Sequence, residues 1–86
     1  MWKQTENKLK KEYTFSDFKE AFKFMSLVAE KAEELNHHPN WSNCWNAVSI
    51  QLSTHDAGDI ITPLDYLLAE KIDLIFDTYF TNTRPT

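Results

Sequence analysis

Imidazole is the side chain best suited to moving protons near neutral pH, and all three histidines of this chain, His37, His38 and His55, fall between positions 37 and 55. His37 and His38 are adjacent and stand directly before Pro39. With an unperturbed pKa of about 6.5, each could accept, donate or share a proton without an unusual environment. Taken singly, His37 and His38 could simply end a helix, where an imidazolium suits the dipole. Zinc binding is the rival chemistry, because His37, His38 and His55 with Asp56 or Cys44 offer nitrogen, oxygen and sulfur ligands. Adjacent histidines reach one metal only in unfavourable geometry, and a lone cysteine in an alternating strand more commonly serves packing, so no metal is expected. Acyl and phosphoryl transfer find little support, since the single glycine, Gly58, cannot build a nucleophile elbow or a phosphate cradle.

The elements that must position these histidines can be read from the pattern around them. Leu9, Lys11, Tyr13 and Phe15 alternate with polar residues as a strand whose apolar row is broken by Lys11. Trp2 to Glu6 reads as a short edge strand ahead of it, with a turn at Asn7 and Lys8. Ser16 is the expected N-cap of a first helix and Asp17 its first-turn acid. Its apolar side is expected at Phe18, Phe22, Met25, Ala29, Ala32 and Leu35, widened by Ala21, Phe24, Leu27 and Val28 as for a helix lying across a sheet. Pro39 should force that helix to stop near Asn36 or His37, leaving the paired histidines at an abrupt turn.

Two strands should follow, Trp41 to Trp45 and Val48 to Thr54, joined around Asn46 and Ala47. In the second, Val48, Ile50 and Leu52 share one face. Ser49, Gln51 and Ser53 line the other, which reaches His55 if the strand continues. After a turn at Ala57-Gly58-Asp59, Thr62-Pro63-Leu64-Asp65 starts a second helix, with Thr at N-cap, Pro at N1 and Asp at N3. Leu64, Leu67, Leu68, Ile72, Ile75, Phe76 and Tyr79 are its expected buried side, and a polar tail covers 81–86. The order is β-β-α-β-β-α, which predicts a two-layer α+β fold: a four-stranded antiparallel sheet with two helices on one face.

Composition narrows the setting. The 86 residues suit a single domain, 1–86, and so small a chain with 14% aromatic residues suggests a homo-oligomer, dimer or tetramer, that shares apolar surface. A net charge of −4 disfavours nucleic acid, and Lys3, Lys8, Lys10 and Lys11 are interrupted by Glu6 and Glu12. The single cysteine and the lack of any long apolar run point to a cytoplasmic protein that does not enter a membrane.

Three segments together carry a resemblance. Ala32-Glu33-Glu34-Leu35-Asn36-His37-His38-Pro39, then Trp45-Asn46, then Leu52-Ser53-Thr54-His55-Asp56-Ala57-Gly58 resemble the signature of the pterin-4a-carbinolamine dehydratases. Upstream, Phe15-Ser16-Asp17-Phe18 and Ala21-Phe22-Lys23-Phe24-Met25 are similar to that family's first helix, so the likeness spans nearly the whole chain. His-His-Pro alone would be weak; followed at this spacing by Thr-His it is specific. Trp45 departs from the family's usual tyrosine, keeping an aromatic surface without the phenolic donor.

The resemblance implies dehydration of 4a-hydroxytetrahydropterins to quinonoid dihydropterins, in support of pterin recycling, with no cofactor. It implies acid–base roles for His37 and His55, leaving open which is the acid. Pterin binding falls to His38, with Asp56 and Trp45 beside it. Supporting places fall to Glu33, Pro39 and Thr54. Some relatives also serve as dimerisation cofactors of homeodomain transcription factors. That partnership depends on surfaces outside the histidine signature, and no transcription-factor partner is expected here.

Overall fold

A computed structural model describes residues 1–80, and the predicted tail 81–86 lies outside the described residues. The elements are β1 (Lys3–Thr5), β2 (Lys8–Thr14), α1 (Phe18–Leu35), β3 (Asn40–Cys44), β4 (Ala47–Leu52) and α2 (Pro63–Tyr79), with a 3-10 turn at His55–Ala57. The expected α+β order is present. All strand pairs are antiparallel, in the spatial order β1-β2-β4-β3.

Register decides which face of the sheet is buried. Leu9 stands opposite Leu52, Lys11 opposite Ile50 and Tyr13 opposite Val48, so these side chains share one face. All but Lys11 are almost fully buried, and they pack with Ala21, Phe24 and Val28 of α1 and with Leu68, Ile72 and Ile75 of α2. Lys11 breaks the apolar row, as its sequence suggested, yet its ammonium is satisfied by Asp73 of α2 at 2.7 Å. Trp2 Nε1 donates to the same carboxylate, and so does the Tyr13 hydroxyl, which ties the amino-terminal hairpin to α2.

Several boundaries differ from the sequence expectation. Thr5 pairs with Lys8, so the first hairpin turns at Glu6 and Asn7, both with positive φ, rather than at Asn7 and Lys8. The second turns at Trp45 and Asn46 because Cys44 pairs with Ala47, which takes Trp45 out of the strand. Asp17, not Ser16, caps α1: its carboxylate accepts the Glu20 amide at 2.9 Å. The buried stripe of α1 is Ala21, Phe24, Val28 and Ala32, whereas the expected Phe18 and Phe22 are exposed. On α2, Tyr79 and Leu67 are likewise exposed, while Asp65 is fully buried.

Candidate active site

The end of α1 aims the first two histidines. Asn36 adopts the left-handed conformation at φ 49°, the His37 amide donates to Ala32 O at 3.0 Å and the Asn36 amide to Glu33 O at 3.1 Å. These are the two bonds of a Schellman motif, which terminates the helix and fixes the direction in which the chain leaves it. Pro39 then only prevents resumption of the helix. His37 enters the fold and is 8% exposed, whereas His38 stays outside, its Nε2 2.6 Å from Glu33 Oε2. Glu33 therefore orients the second imidazole of the pair.

The third histidine comes from the far end of β4. That strand ends at Leu52, and His55 opens the 3-10 turn instead of extending the polar row. Thr54 closes the loop: its amide donates to Ile60 O at 2.8 Å and its carbonyl accepts the Asp59 amide at 3.0 Å. Asp59 is thereby folded back on His55, whose Nδ1 donates to Asp59 Oδ1 at 3.0 Å. That hydrogen bond and the charge of Asp59, reinforced by Asp56, raise the His55 pKa above its usual value. Nδ1 is occupied, so Nε2 is the nitrogen His55 presents outward.

Buried behind His37 is Asp65, the N3 acid of α2. Its Oδ1 lies 2.5 Å from His37 Nε2, and its Oδ2 accepts the Thr62 amide and the Thr54 hydroxyl, both at 2.8 Å. A carboxylate only accepts, so Nε2 of His37 carries the hydrogen and Nδ1 is the nitrogen left with a lone pair. The Thr-Pro-Leu-Asp segment was legible as a helix start. That its acid turns inward to a histidine 28 residues away has no local sequence signal.

One cleft of about 290 Å³ gathers the pieces, lined by Asn36, His37, His38, Ser53, Thr54, His55, Asp56 and Leu64. All three histidines and Asp56 therefore meet. Glu33, bonded to His38, and Pro39, next to it in the chain, are not in the lining. Trp45 does not line the cleft within one chain: it sits at the opposite end of β3, 63% exposed, with φ 49°. Asp59, Asp65 and Thr62 join the site although the sequence assigned them no role in it. No group of three His, Cys, Asp or Glu side chains is arranged to hold a metal among the described residues, and Cys44 is exposed. No helix among them is long and apolar enough to cross a membrane.

Residues 1–75 match the family described as Pterin 4 alpha carbinolamine dehydratase. The chain belongs to that family. Curated relatives carry the name "Putative pterin-4-alpha-carbinolamine dehydratase". One from Synechococcus sp. (strain WH7803) is 50% identical over 74 residues, covering 86% of this chain and 78% of the relative. Another from Solibacter usitatus (strain Ellin6076) is 49% identical over 74 residues, covering 86% and 77%. Among solved structures, a transcriptional coactivator/pterin dehydratase from Brucella melitensis superposes with a TM-score of 0.82 at 37% identity, covering 86% of this chain and 80% of that one. A pterin dehydratase-like RuBisCO assembly factor of the alpha-carboxysome shares the fold, with a TM-score of 0.69 at 21% identity over 87% and 86% of the two chains. Family membership and the names of the relatives support a pterin carbinolamine dehydratase, a lyase, acting on a pterin substrate.

Proposed function

We propose that this protein dehydrates a 4a-hydroxytetrahydropterin to the quinonoid dihydropterin by histidine acid–base catalysis, returning pterin to a cytoplasmic recycling pool. The observation that carries the reading is that two imidazoles line one cleft, each held through one ring nitrogen by a carboxylate. Asp59 and Asp56 favour the imidazolium of His55, and His37 gives its Nε2 hydrogen to Asp65, which leaves Nδ1 as the ring nitrogen outside that bond.

The reaction asks for that pair. A proton delivered by His55 Nε2–H to the C4a hydroxyl turns it into leaving water. Loss of the N5 proton to His37 Nδ1 supplies the electron pair that forms the C4a=N5 bond. Atoms balance as dihydropterin plus water, and no electrons are exchanged, so the reaction requires no redox cofactor. His38, exposed and steadied by Glu33, binds the pterin ring, and Asp56 accepts from its ring donors. Pro39 keeps the chain from resuming the helix after His38, and Thr54 holds both the His55 loop and Asp65. The working form is a homo-oligomer, supported by the exposed Phe18, Phe22, Leu74 and Tyr79 side chains and by the open edge of β3.

The test is to generate the carbinolamine enzymatically and follow its disappearance optically. Wild type should outrun the buffer-catalysed background, and His37→Ala or His55→Ala should each lose roughly 10²–10⁴-fold in kcat. His38→Ala should chiefly raise KM. Wild-type rates equal to background reject the activity; unchanged rates in both the His37 and His55 variants reject the mechanism.

A further inference from the structure

Behind His37 the polar contacts continue for two more side chains, and each bond in that series has a determinable direction. Asp65 is fully buried and its Oδ2 receives two donors, the Thr62 amide and the Thr54 hydroxyl. The Thr54 hydroxyl has one hydrogen, committed to Asp65 at 2.8 Å, so in its 2.6 Å contact with Thr62 Oγ1 it must accept. Thr62 is then the donor. Its alternative acceptor, Asp65 Oδ2, lies 3.5 Å away, too far to compete.

The geometry points to Thr62 as a positioning residue for His37: its hydroxyl locks the Thr54 hydroxyl onto Asp65, and Asp65 in turn holds the Nε2–H tautomer of His37. Thr62 does not line the cleft, so it acts only through Thr54 and Asp65. Without the Thr62 donor, the Thr54 hydroxyl is free to turn away, and Asp65 Oδ2 loses one of its two donors. The carboxylate, then fixed on that oxygen by the Thr62 amide alone, is free to swing out of line with the His37 ring. The Nε2–H tautomer is thus enforced less strictly, and Nδ1 is less regularly the nitrogen left to accept a proton. The consequence for rate rests on the dehydratase reading; the consequence for the tautomer does not.

Thr62→Val keeps the backbone amide that caps Asp65 and removes only the hydroxyl, Thr62→Ser restores it, and Thr54→Val cuts the series one step closer. Nitrogen-15 spectra of the imidazoles, assigned with the His37→Ala variant, report the tautomer directly, and thermal unfolding confirms that each variant is folded. Wild type and Thr62→Ser should show His37 as the Nε2–H tautomer, with Thr62→Val moving toward a mixture and Thr54→Val moving further. In the dehydration assay kcat of Thr62→Val should fall roughly 2- to 10-fold, the scale of one net hydrogen bond, with KM little changed and recovery in Thr62→Ser. A His37 tautomer identical to wild type in both valine variants overturns the assignment, whether or not kcat falls. A tautomer that shifts in a protein devoid of dehydratase activity sustains the assignment and overturns only the proposed reaction.

Discussion

Asp59 is the residue that sets when His55 carries charge. It holds a positive φ of 59°, a conformation tolerated by Asp and Asn but costly for most side chains, and this bend returns its carboxylate to the His55 ring. The imidazolium is therefore favoured to higher pH than for a free histidine. If His55 is the acid, activity requires its protonated form and falls as pH rises through the raised value. Asp59→Asn fits the same backbone while removing the charge. The alkaline limb of kcat/KM should then move to lower pH, while Asp56 retains part of the shift. A pH–rate profile checks this, and an NMR titration of His55 should move by the same amount. An alkaline limb that stays in place while the His55 titration moves assigns the acid to another group.

At the scale of elements, Asn36 does what the sequence credited to Pro39. Left-handed backbone costs an ordinary L-residue about 1–2 kcal/mol and asparagine less, so Asn36→Gly should leave unfolding stability equal or slightly higher. Asn36→Val should lose about 1–2 kcal/mol in urea unfolding and lower kcat, because the Schellman turn also directs His37. Equal stability of the valine variant would show that the turn does not govern the helix end. Much of the architecture was legible beforehand: alternation located three strands and Thr62-Pro63-Leu64-Asp65 marked the α2 start. The centre of the α1 stripe was not, because Phe18-Phe22-Met25 and Ala21-Phe24-Val28 both satisfy helical spacing and both were read as apolar face, and only packing shows that the second set meets the core. The histidine cluster was legible because its residue types are rare. Its supports, the buried Asp65 and the part-buried Thr62, were not, since a capping-box acid usually faces water and only the tertiary fold brings it under His37.

For the whole molecule, the sheet ends on one side in β3, whose Asn-Trp-Ser-Asn-Cys sequence has no charge to discourage pairing. The loop of two residues makes Cys44 and Ala47 the closing hydrogen-bonded pair. Asn40, Ser42 and Cys44 thus direct backbone groups to β4, while Trp41 and Asn43 direct theirs to the free edge. A second copy approaching antiparallel about a two-fold axis at Ser42 would exchange four bonds, Trp41 with the partner's Asn43 and the reverse. Registers shifted by one pair either way bring Pro39, which has no amide hydrogen, or the turn at Trp45 into the ladder. In the favoured register Trp45 comes opposite the partner's Pro39, next to the partner's His38. The indole that stands away from the cleft of its own chain would thus border that of its neighbour. Ser42 faces its own copy as a non-hydrogen-bonded pair, about 4.5 Å between Cα atoms, within the reach of a disulfide. Light scattering at low micromolar concentration should give at least twice 10.1 kDa. Ser42→Cys in a Cys44→Ser background should oxidise to a covalent dimer, and Cys44→Ser alone should not. In the assay, Trp45→Ala should raise KM without moving the mass. A strictly monomeric mass rejects the oligomer; an oligomer that never cross-links at position 42 places its interface elsewhere and leaves Trp45 without a cleft to serve.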